Sequence, residues 1–223
     1  MKKFLTRRLT AGQAVVVIVL ALILAGLGYL GYNLVSAAIL EARVKAALPQ
    51  VCSAIRNQRK VLLSAIEAYK SHFGVYPPDH LLSRQPLVVD AVTNTLLYEL
   101  AGVVYNPTNK AYRLDRMEEA DADFVKRFFG CDFKNCSTNP AAVQNFLGEF
   151  PPFRQVHDDP DTYLLSFALY SEPVEPELLY QMDSSPWRYV SSAPTNNPGR
   201  FDLWMEVWTK TRKVTIGNWK EVE

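Results

Sequence analysis

The chain has 223 residues, with 24 Lys and Arg, 23 Asp and Glu and 3 His, and its formal net charge is +1. This near balance, without a run of like charge, excludes a nucleic-acid-binding surface of the usual basic kind. Three cysteines and three scattered histidines also argue against a zinc site, because tetrahedral zinc needs four closely placed ligands.

Residues 11–40 form a run of thirty uncharged residues, and they predict a membrane anchor. As a helix this run is about 45 Å long, which exceeds the hydrocarbon thickness of about 30 Å that a spanning helix crosses. A cleaved secretory signal is the alternative, but its apolar region is only about 7–15 residues long. We therefore expect a permanent anchor.

Four basic residues set the expected orientation of this anchor. Lys2, Lys3, Arg7 and Arg8 precede the apolar run with no acidic residue among them, and the positive-inside rule then keeps the N-terminus in the cytoplasm. The prediction is a basic cytoplasmic head at residues 1–10, a transmembrane helix at 11–40 and an exported domain at 41–223. The last part is long enough for one domain with a proper core.

The cysteines offer one spaced pair, Cys131 and Cys136, and one single residue, Cys52. In an exported domain the pair is a possible disulfide that closes a four-residue loop. Two free thiols in a turn are the other interpretation, because spacing alone does not show whether the geometry permits a bridge. The sequence leaves both open.

A helix rich in apolar residues is predicted over residues 42–73. Its apolar residues recur at spacings of seven, four, three and four, which places them along one face. They are Ile55, Leu62, Ile66, Tyr69 and Phe73. Pro49 is expected to kink or split this helix from the membrane part, and Gly74 followed by Pro77-Pro78 is expected to end it.

Residues 81–183 read as an insertion of short helices and loops. Three stretches of it have a start signal at one end and a glycine at the other: 94–102, 118–130 and 139–148. Asn94 and Asn139 are the expected caps of the first and third, and Pro140 suits a first helical position. Between the first two helices, residues 103–105 and 111–114 predict a small hairpin.

The C-terminal part predicts an antiparallel sheet, from strands near residues 163–170, 187–190, 201–208 and 213–216. The clearest alternation places Phe201, Leu203, Met205 and Val207 on one face and Asp202, Trp204, Glu206 and Trp208 on the other. Trp204 and Trp208 are a possible partner surface, although packing beneath a loop is the commoner fate of such residues. A long helix followed by a sheet makes the expected fold class α+β.

Motifs at both ends of the chain resemble the type IV pilin-like proteins, and among them the major pseudopilins of type II secretion systems. At the C-terminus they are Pro186-Trp187-Arg188-Tyr189, Asn197-Pro198-Gly199, Phe201-Asp202-Leu203-Trp204 and Ile216-Gly217-Asn218-Trp219. At the helix end they are Ala68-Tyr69-Lys70 and Gly74-Val75-Tyr76-Pro77, and the segment from Arg8 to Val16 aligns with the family's processing site. The resemblance covers about a third of the chain and implies a pilin-like fold.

The processing site departs from the family pattern at three positions. In the family a peptidase cuts after a glycine that precedes a phenylalanine, and a glutamate lies a few residues into the apolar helix. Here Arg8 and Leu9 replace the glycine and phenylalanine, and Gln13 replaces the glutamate. We therefore expect a degenerate processing site that is not cut and a helix without its charged assembly group.

The family's calcium loop also departs from its pattern. Calcium takes six to eight oxygen ligands, some of them carboxylates, but between Trp204 and Ile216 this chain has only Glu206, with three basic residues beside it. We expect no calcium there. The acidic cluster at residues 157–161 has suitable oxygens, but a solvated turn is the favoured interpretation.

No nucleophile, phosphate-binding or paired-histidine motif is present in the sequence, so we expect neither an enzyme nor a cofactor. The resemblance implies a non-catalytic structural subunit in a bacterial inner membrane, with its domain in the periplasm. Expected partners are the membrane and other pilin-like subunits or secretion-platform proteins, which Gly26, Gly28 and Gly31 would let approach closely. The alternative is an anchored binding module of the same fold that forms no filament.

Overall fold

The computed structural model describes residues 11–84, 86–114, 119–130, 132–148, 153–156, 159–166, 183–184, 186–210 and 212–219. The chain forms two compact units, Met1–Ala46 and Ala47–Glu223, which we describe one at a time as unit 1 and unit 2. The described part of unit 1 is α-helical throughout. Unit 2 combines helices with mainly antiparallel sheets, so the prediction of a mixed α and β fold is confirmed at that level.

The long N-terminal helix, α1, comprises Ala11–Phe73 and includes Pro49. The expected split at Pro49 is wrong, because the helix continues through it. A proline inside a helix removes one backbone hydrogen bond, and burial of Leu48, Val51 and Cys52, each 4–7% exposed, offsets that loss. The expected end is confirmed: Gly74 has a φ of +76°, and its N–H donates to the Lys70 carbonyl at 2.8 Å.

The predicted apolar face of α1 lies in the core of unit 2. Ile55, Leu62, Ile66 and Tyr69 are each 0–1% exposed, and each such side chain contributes about 1.5–3 kcal/mol by leaving water. The indole N–H of Trp187 donates to the Gln58 side-chain carbonyl at 2.9 Å, so polar contacts flank this apolar face.

The remaining elements of unit 2 follow in chain order. They are β1 (His80–Arg84), β2 (Leu87–Asp90), α2 (Leu96–Ala101), β3 (Val103–Asn106), β4 (Ala111–Arg113), β5 (Ala120–Asp121), α3 (Ala122–Phe129), β6 (Cys136–Ser137), β7 (Phe153–Val156), β8 (Asp159–Leu165), β9 (Asp183–Ser184), β10 (Arg188–Val190), β11 (Asp202–Trp208) and β12 (Lys213–Gly217).

Two of the three short helices form as expected, although both begin later. α2 has Thr95 at its N-cap, and the Asn94 side chain accepts from the Leu96 N–H at 3.1 Å. α3 begins after Asp121, whose carboxylate accepts from the Phe124 N–H at 2.6 Å. The glycines after both helices, Gly102 and Gly130, adopt positive φ as the sequence predicts.

The third expected helix, over residues 139–148, is wrong. Asn139 does cap the segment, accepting from the Ala141 N–H at 3.1 Å, but only a single 3-10 turn, Pro140–Ala142, follows it. Val143 already has an extended backbone. A cap and a proline start one turn, whereas a longer helix also needs an apolar face to bury.

The sheets of unit 2 are small, and the largest two lie in the middle and at the C-terminus. β5, β4, β3 and β6 form one sheet in that order, with β3 and β6 parallel and the expected β3–β4 hairpin antiparallel. β10, β11 and β12 form the C-terminal antiparallel sheet, and β9 also pairs with β11. The predicted C-terminal sheet is confirmed for its last three strands. The strand expected near residues 163–170 is not part of it, because β8 pairs with β7 in a separate two-stranded sheet.

β11 buries one face fully and part of the other. Leu203, Met205 and Val207 are 0% exposed, as their spacing predicts, but Asp202 and Glu206 on the other face are only 2% and 7% exposed. Five hydrogen bonds of 2.8–3.1 Å reach the Asp202 carboxylate from the segment 195–197. These donors replace the hydrogen bonds to water that the carboxylate loses when it is buried. They also hold the loop before β11 in place.

Candidate functional site

The most extensive exposed feature of unit 1 is the apolar part of α1. Every described side chain from Val15 to Ile39 is exposed, and Leu24 and Leu34 reach 67% and 72%. An 18-residue window of this helix has a mean hydropathy of 2.0, and none of the window is buried. The helix is therefore long and apolar enough to cross a membrane. Apolar exposure on this scale marks an interaction surface in soluble proteins too.

The polar side chains in this segment are satisfied by the helix itself. The Asn33 side-chain amide donates to the Tyr29 carbonyl at 2.8 Å, and the Ser36 hydroxyl donates to the Asn33 carbonyl at 3.0 Å. Such local bonds remove most of the cost of placing these groups in lipid, where no water replaces a missing partner. The Asn33 and Ser36 side chains therefore oppose membrane insertion less than unpaired polar groups would.

The glycines of this segment leave open space beside the helix. A Cβ added at Gly26, Gly28 or Gly31 would meet nothing within 4 Å. Of the positions expected to be degenerate in the processing site, Arg8 and Leu9 lie outside the described residues. Gln13 lies in the first turn of α1, and its side chain is also outside the description.

Trp204 and Trp208 share a face of β11 but differ in environment. The Trp204 ring is half-buried and lies 5.5 Å from the Trp219 ring in an edge-on arrangement. Trp208 is 45% exposed, and the Lys213 Nζ lies 5.0 Å from its ring centroid. Trp204 is therefore packed against another side chain, whereas Trp208 presents an accessible aromatic surface.

Glu206 lies between these two tryptophans in sequence and is paired with two cations. Arg188 and Lys213 contact its carboxylate at 3.0 and 3.3 Å, so the only acidic side chain of this loop is committed to ion pairs. Of the other candidate ion ligands, His157 and Asp158 lie outside the described residues. Within the ranges that the structure describes, no group of three His, Cys, Asp or Glu side chains is placed to hold a metal ion.

The cysteine pair is described only in part. Cys136 is half-buried in β6, and Cys131 lies outside the described residues, so the disulfide remains a prediction. Burial raises the pKa of the Cys136 thiol to about 11, and Glu99 and Asp132 act in the same direction. Since the thiolate is the reactive form, this cysteine is not activated as a nucleophile.

Glu99 is a buried carboxylate that the sequence analysis missed. It is 0% exposed and accepts hydrogen bonds from the Tyr69 hydroxyl at 2.7 Å and from the Lys134 and Asn135 N–H groups at 2.9 and 3.0 Å. It therefore joins α1, α2 and the loop before β6. Its signal was a single charge within the apolar stretch Leu96-Leu97-Tyr98-Glu99-Leu100.

Burial raises the pKa of the Glu99 carboxyl above its ordinary value of 4.5, and its three hydrogen bonds oppose that shift only in part. The folded state thus holds this proton more tightly than the unfolded state does. Stability from this group is greatest below pH 4.5 and falls as the pH rises through the window above it. Glu99 therefore connects three parts of the fold, but its burial lowers the stability of the folded state in neutral solution.

No family model, no curated protein sequence and no solved structure matches the chain.

Proposed function

We propose that this protein is a non-catalytic, membrane-anchored structural subunit of the pseudopilin type, working in a type II secretion-like apparatus. The observation that supports it most is the contrast along α1. Its residues from Val15 to Ile39 are exposed and apolar, whereas Ile55, Ile66 and Tyr69 are fully buried in unit 2. One helix thus supplies both an apolar surface for a membrane or neighbouring helices and a core element of a folded domain.

The direction of insertion follows from charge. The basic residues at positions 2, 3, 7 and 8 remain in the cytoplasm, and unit 2 lies on the far side of the bacterial inner membrane. Fusion of alkaline phosphatase after residue 223 tests this orientation, because that enzyme is active only outside the cytoplasm. Activity is expected for the full chain and is lost if the C-terminus is cytoplasmic.

In this proposal the N-terminus is retained. Arg8 and Leu9 do not suit the peptidase that processes pilin-like proteins, so mass analysis of the chain from membranes should find Met1. The matched control is Arg8→Gly with Leu9→Phe, which restores the family pattern and should be cut when the peptidase is present. A wild-type chain that begins at Leu9 would return the protein to ordinary pseudopilin processing.

Assembly is tested separately by co-purification from membranes. With a structural subunit, pilin-like subunits or secretion-platform proteins should be recovered after mild solubilisation and crosslinking. The apolar surface of residues 15–39 is the expected contact, so crosslinkers placed at Leu24 and at the buried-side position Ile66 make a matched pair. Crosslinks from Leu24 are expected, and their absence argues against assembly.

The second candidate is an anchored binding module with the same fold that forms no filament. The exposed ring of Trp208 favours it, since large aromatic side chains dominate binding energy at protein interfaces. The glutamine at position 13 favours it too, because without a carboxylate at this position the apolar part of α1 lacks the ion pair that would set its register. Consistent recovery of one soluble partner without other pilin-like subunits would select this function.

A further inference from the structure

A half-open cleft of about 470 Å³ lies in unit 2 between α3, the β3–β4 hairpin and the loop leading into β6. This volume falls within the range of about 300–1,000 Å³ that small-ligand sites occupy. The groups that give the cleft its chemistry are Tyr105, Tyr112, Asp123, Lys126, Asp132 and Cys136. They come from four separate elements, so the cleft is a product of the tertiary fold.

One wall of the cleft is aromatic. The Tyr105 and Tyr112 ring centroids are 5.6 Å apart, and the Tyr112 ring packs edge-on against Phe133 at 5.2 Å. Phe133 in turn stacks on Tyr98 in the core at 4.8 Å. The Tyr112 ring is therefore held in place by rigid neighbours, whereas the half-buried Tyr105 closes the outer side.

The Tyr112 hydroxyl is the least expected feature of this wall. Tyr112 is only 8% exposed, yet its hydroxyl makes no hydrogen bond to any residue that the structure describes. Burial, followed by Cys136, Asp132, Tyr105 and Asp123, raises the pKa of Tyr112 to about 12. Tyr112 and these four neighbours all line the cleft, and the raised pKa keeps the proton on the hydroxyl at neutral pH. This hydroxyl is not among the fully buried polar atoms without a partner, so it retains contact with solvent at the cleft and is available to a ligand.

The charge of the cleft is negative. Asp123 forms no ion pair within the described part of the chain, whereas Asp132 binds Lys126 at 2.6 Å. That pair is accessible to solvent, with side chains 51% and 67% exposed, and pairs of this kind hold together weakly. An incoming cation therefore finds one unpaired carboxylate and a second that Lys126 can release.

We propose that this cleft binds a guanidinium or alkylammonium group, such as the end of an arginine or lysine side chain. Asp123 and Asp132 supply the charge, the tyrosine rings offer their negative faces, and the Tyr112 hydroxyl accepts a hydrogen bond. Anions are disfavoured by the two carboxylates. This inference is independent of the anchor and of filament assembly.

The direct test measures binding of butylguanidinium to the full chain in detergent by ligand-observed NMR, with neutral butylurea as an isostere. A probe of this size is expected to bind with a Kd of about 1 mM, and butylurea is expected not to compete. Absence of saturable binding, or equal binding of butylurea, overturns the proposal.

Three variants locate the binding. Asp123→Asn should weaken it about two- to fivefold, and Tyr112→Phe about two- to tenfold through loss of the hydroxyl alone. Lys126→Ala should act in the opposite direction and tighten binding, because it frees Asp132. Glu41→Gln, an exposed charge in unit 1, is the matched control and should leave the Kd unchanged.

Equal affinities in the wild type and all three cleft variants would overturn the assignment. Tyr112→Phe keeps the ring packing on Phe133, so it tests the proposal even where another variant fails to fold. A capped peptide with one central arginine separates two sources of the cation. Binding of both peptide and butylguanidinium supports a side chain of a partner protein, and binding of butylguanidinium alone supports a free small amine.

Discussion

The clearest prediction concerns two charges introduced into the exposed apolar part of α1. Leu20→Arg with Leu24→Arg replaces side chains that are 53% and 67% exposed. The control is Val61→Arg with Ala68→Arg, which changes exposed positions of the same helix within unit 2. In water the two double variants should behave alike, because arginine is a good helix former and all four sites are exposed. A membrane distinguishes them.

The size of the effect follows from residue contributions to insertion. Residues 14–27 contain ten Val, Ile and Leu, which together favour insertion by about 3–6 kcal/mol at about 0.3–0.6 kcal/mol each. Two arginines near the centre of the span cost about 5–7 kcal/mol, and the lost leucines add about 1 kcal/mol. The total of about 6–8 kcal/mol exceeds the favourable sum, so insertion should be reversed.

The assay is extraction of isolated membranes with alkaline carbonate, which releases peripheral proteins and retains spanning ones. The wild type and the Val61→Arg, Ala68→Arg variant should stay in the pellet, and the Leu20→Arg, Leu24→Arg variant should leave it. If that variant is retained like the wild type, the exposed segment is not the anchor. If the control variant is released as well, the loss reflects damage to the protein and not failure to insert.

The remaining predictions concern unit 2. For Glu99→Gln, stability followed by chemical denaturation should no longer fall as the pH rises above 4.5, because the raised pKa of this carboxyl is the cause of that fall; an unchanged slope would contradict the assignment. Gly102→Ala should cost about 2–5 kcal/mol, because its Cβ would lie 2.2 Å from Val143 and its φ is +78°. Gly199→Ala, at φ +81° in open space, should cost only about 1–2 kcal/mol in the same denaturation series. Trp208→Ser should change the free energy of unfolding by about 1 kcal/mol or less while reducing partner recovery from membranes.

The features that sequence predicted well have signals confined to a few neighbouring residues. The end of α1 depends on Gly74, whose positive φ only glycine adopts easily. The β3–β4 hairpin depends on the turn after Asn106, and β11 on strict alternation over seven residues. In each case the residues that carry the signal are also the residues that form the structure.

The features that sequence missed depend on residues outside the local pattern that suggests each element. Asn139 and Pro140 signal a helix start equally well for one turn or three, and the packing that decides between them involves other elements. Asp202 reads as an outward residue of β11, yet the segment 195–197 folds over it and donates five hydrogen bonds. Local patterns do not contain that information.

The candidate sites likewise include one that the sequence predicts and others that it does not. Exposure of residues 15–39 follows directly from an apolar run with nothing in its own sequence to cover it, and hydropathy alone predicted it. The different environments of Trp204 and Trp208 do not follow, because the packing of Trp204 depends on Trp219, fifteen residues further along the chain. The cleft beside Tyr112 is formed by four elements, and the spacing of its residues in the sequence does not predict it.

The two parts of the proposed function have different foundations, and this matters for the experiments. Anchoring is argued from exposed side chains and the energy of their transfer into lipid, so it stands even if the pilin-like resemblance fails. Assembly is argued from that resemblance, and the changes at positions 8, 9 and 13 weaken the processing and charge pairing on which assembly depends. A chain that resists carbonate extraction, retains Met1 and yields no crosslink from Leu24 would therefore be an anchored module. The same chain with crosslinks to pilin-like subunits would show that a helix can assemble without either the cut N-terminus or the glutamate.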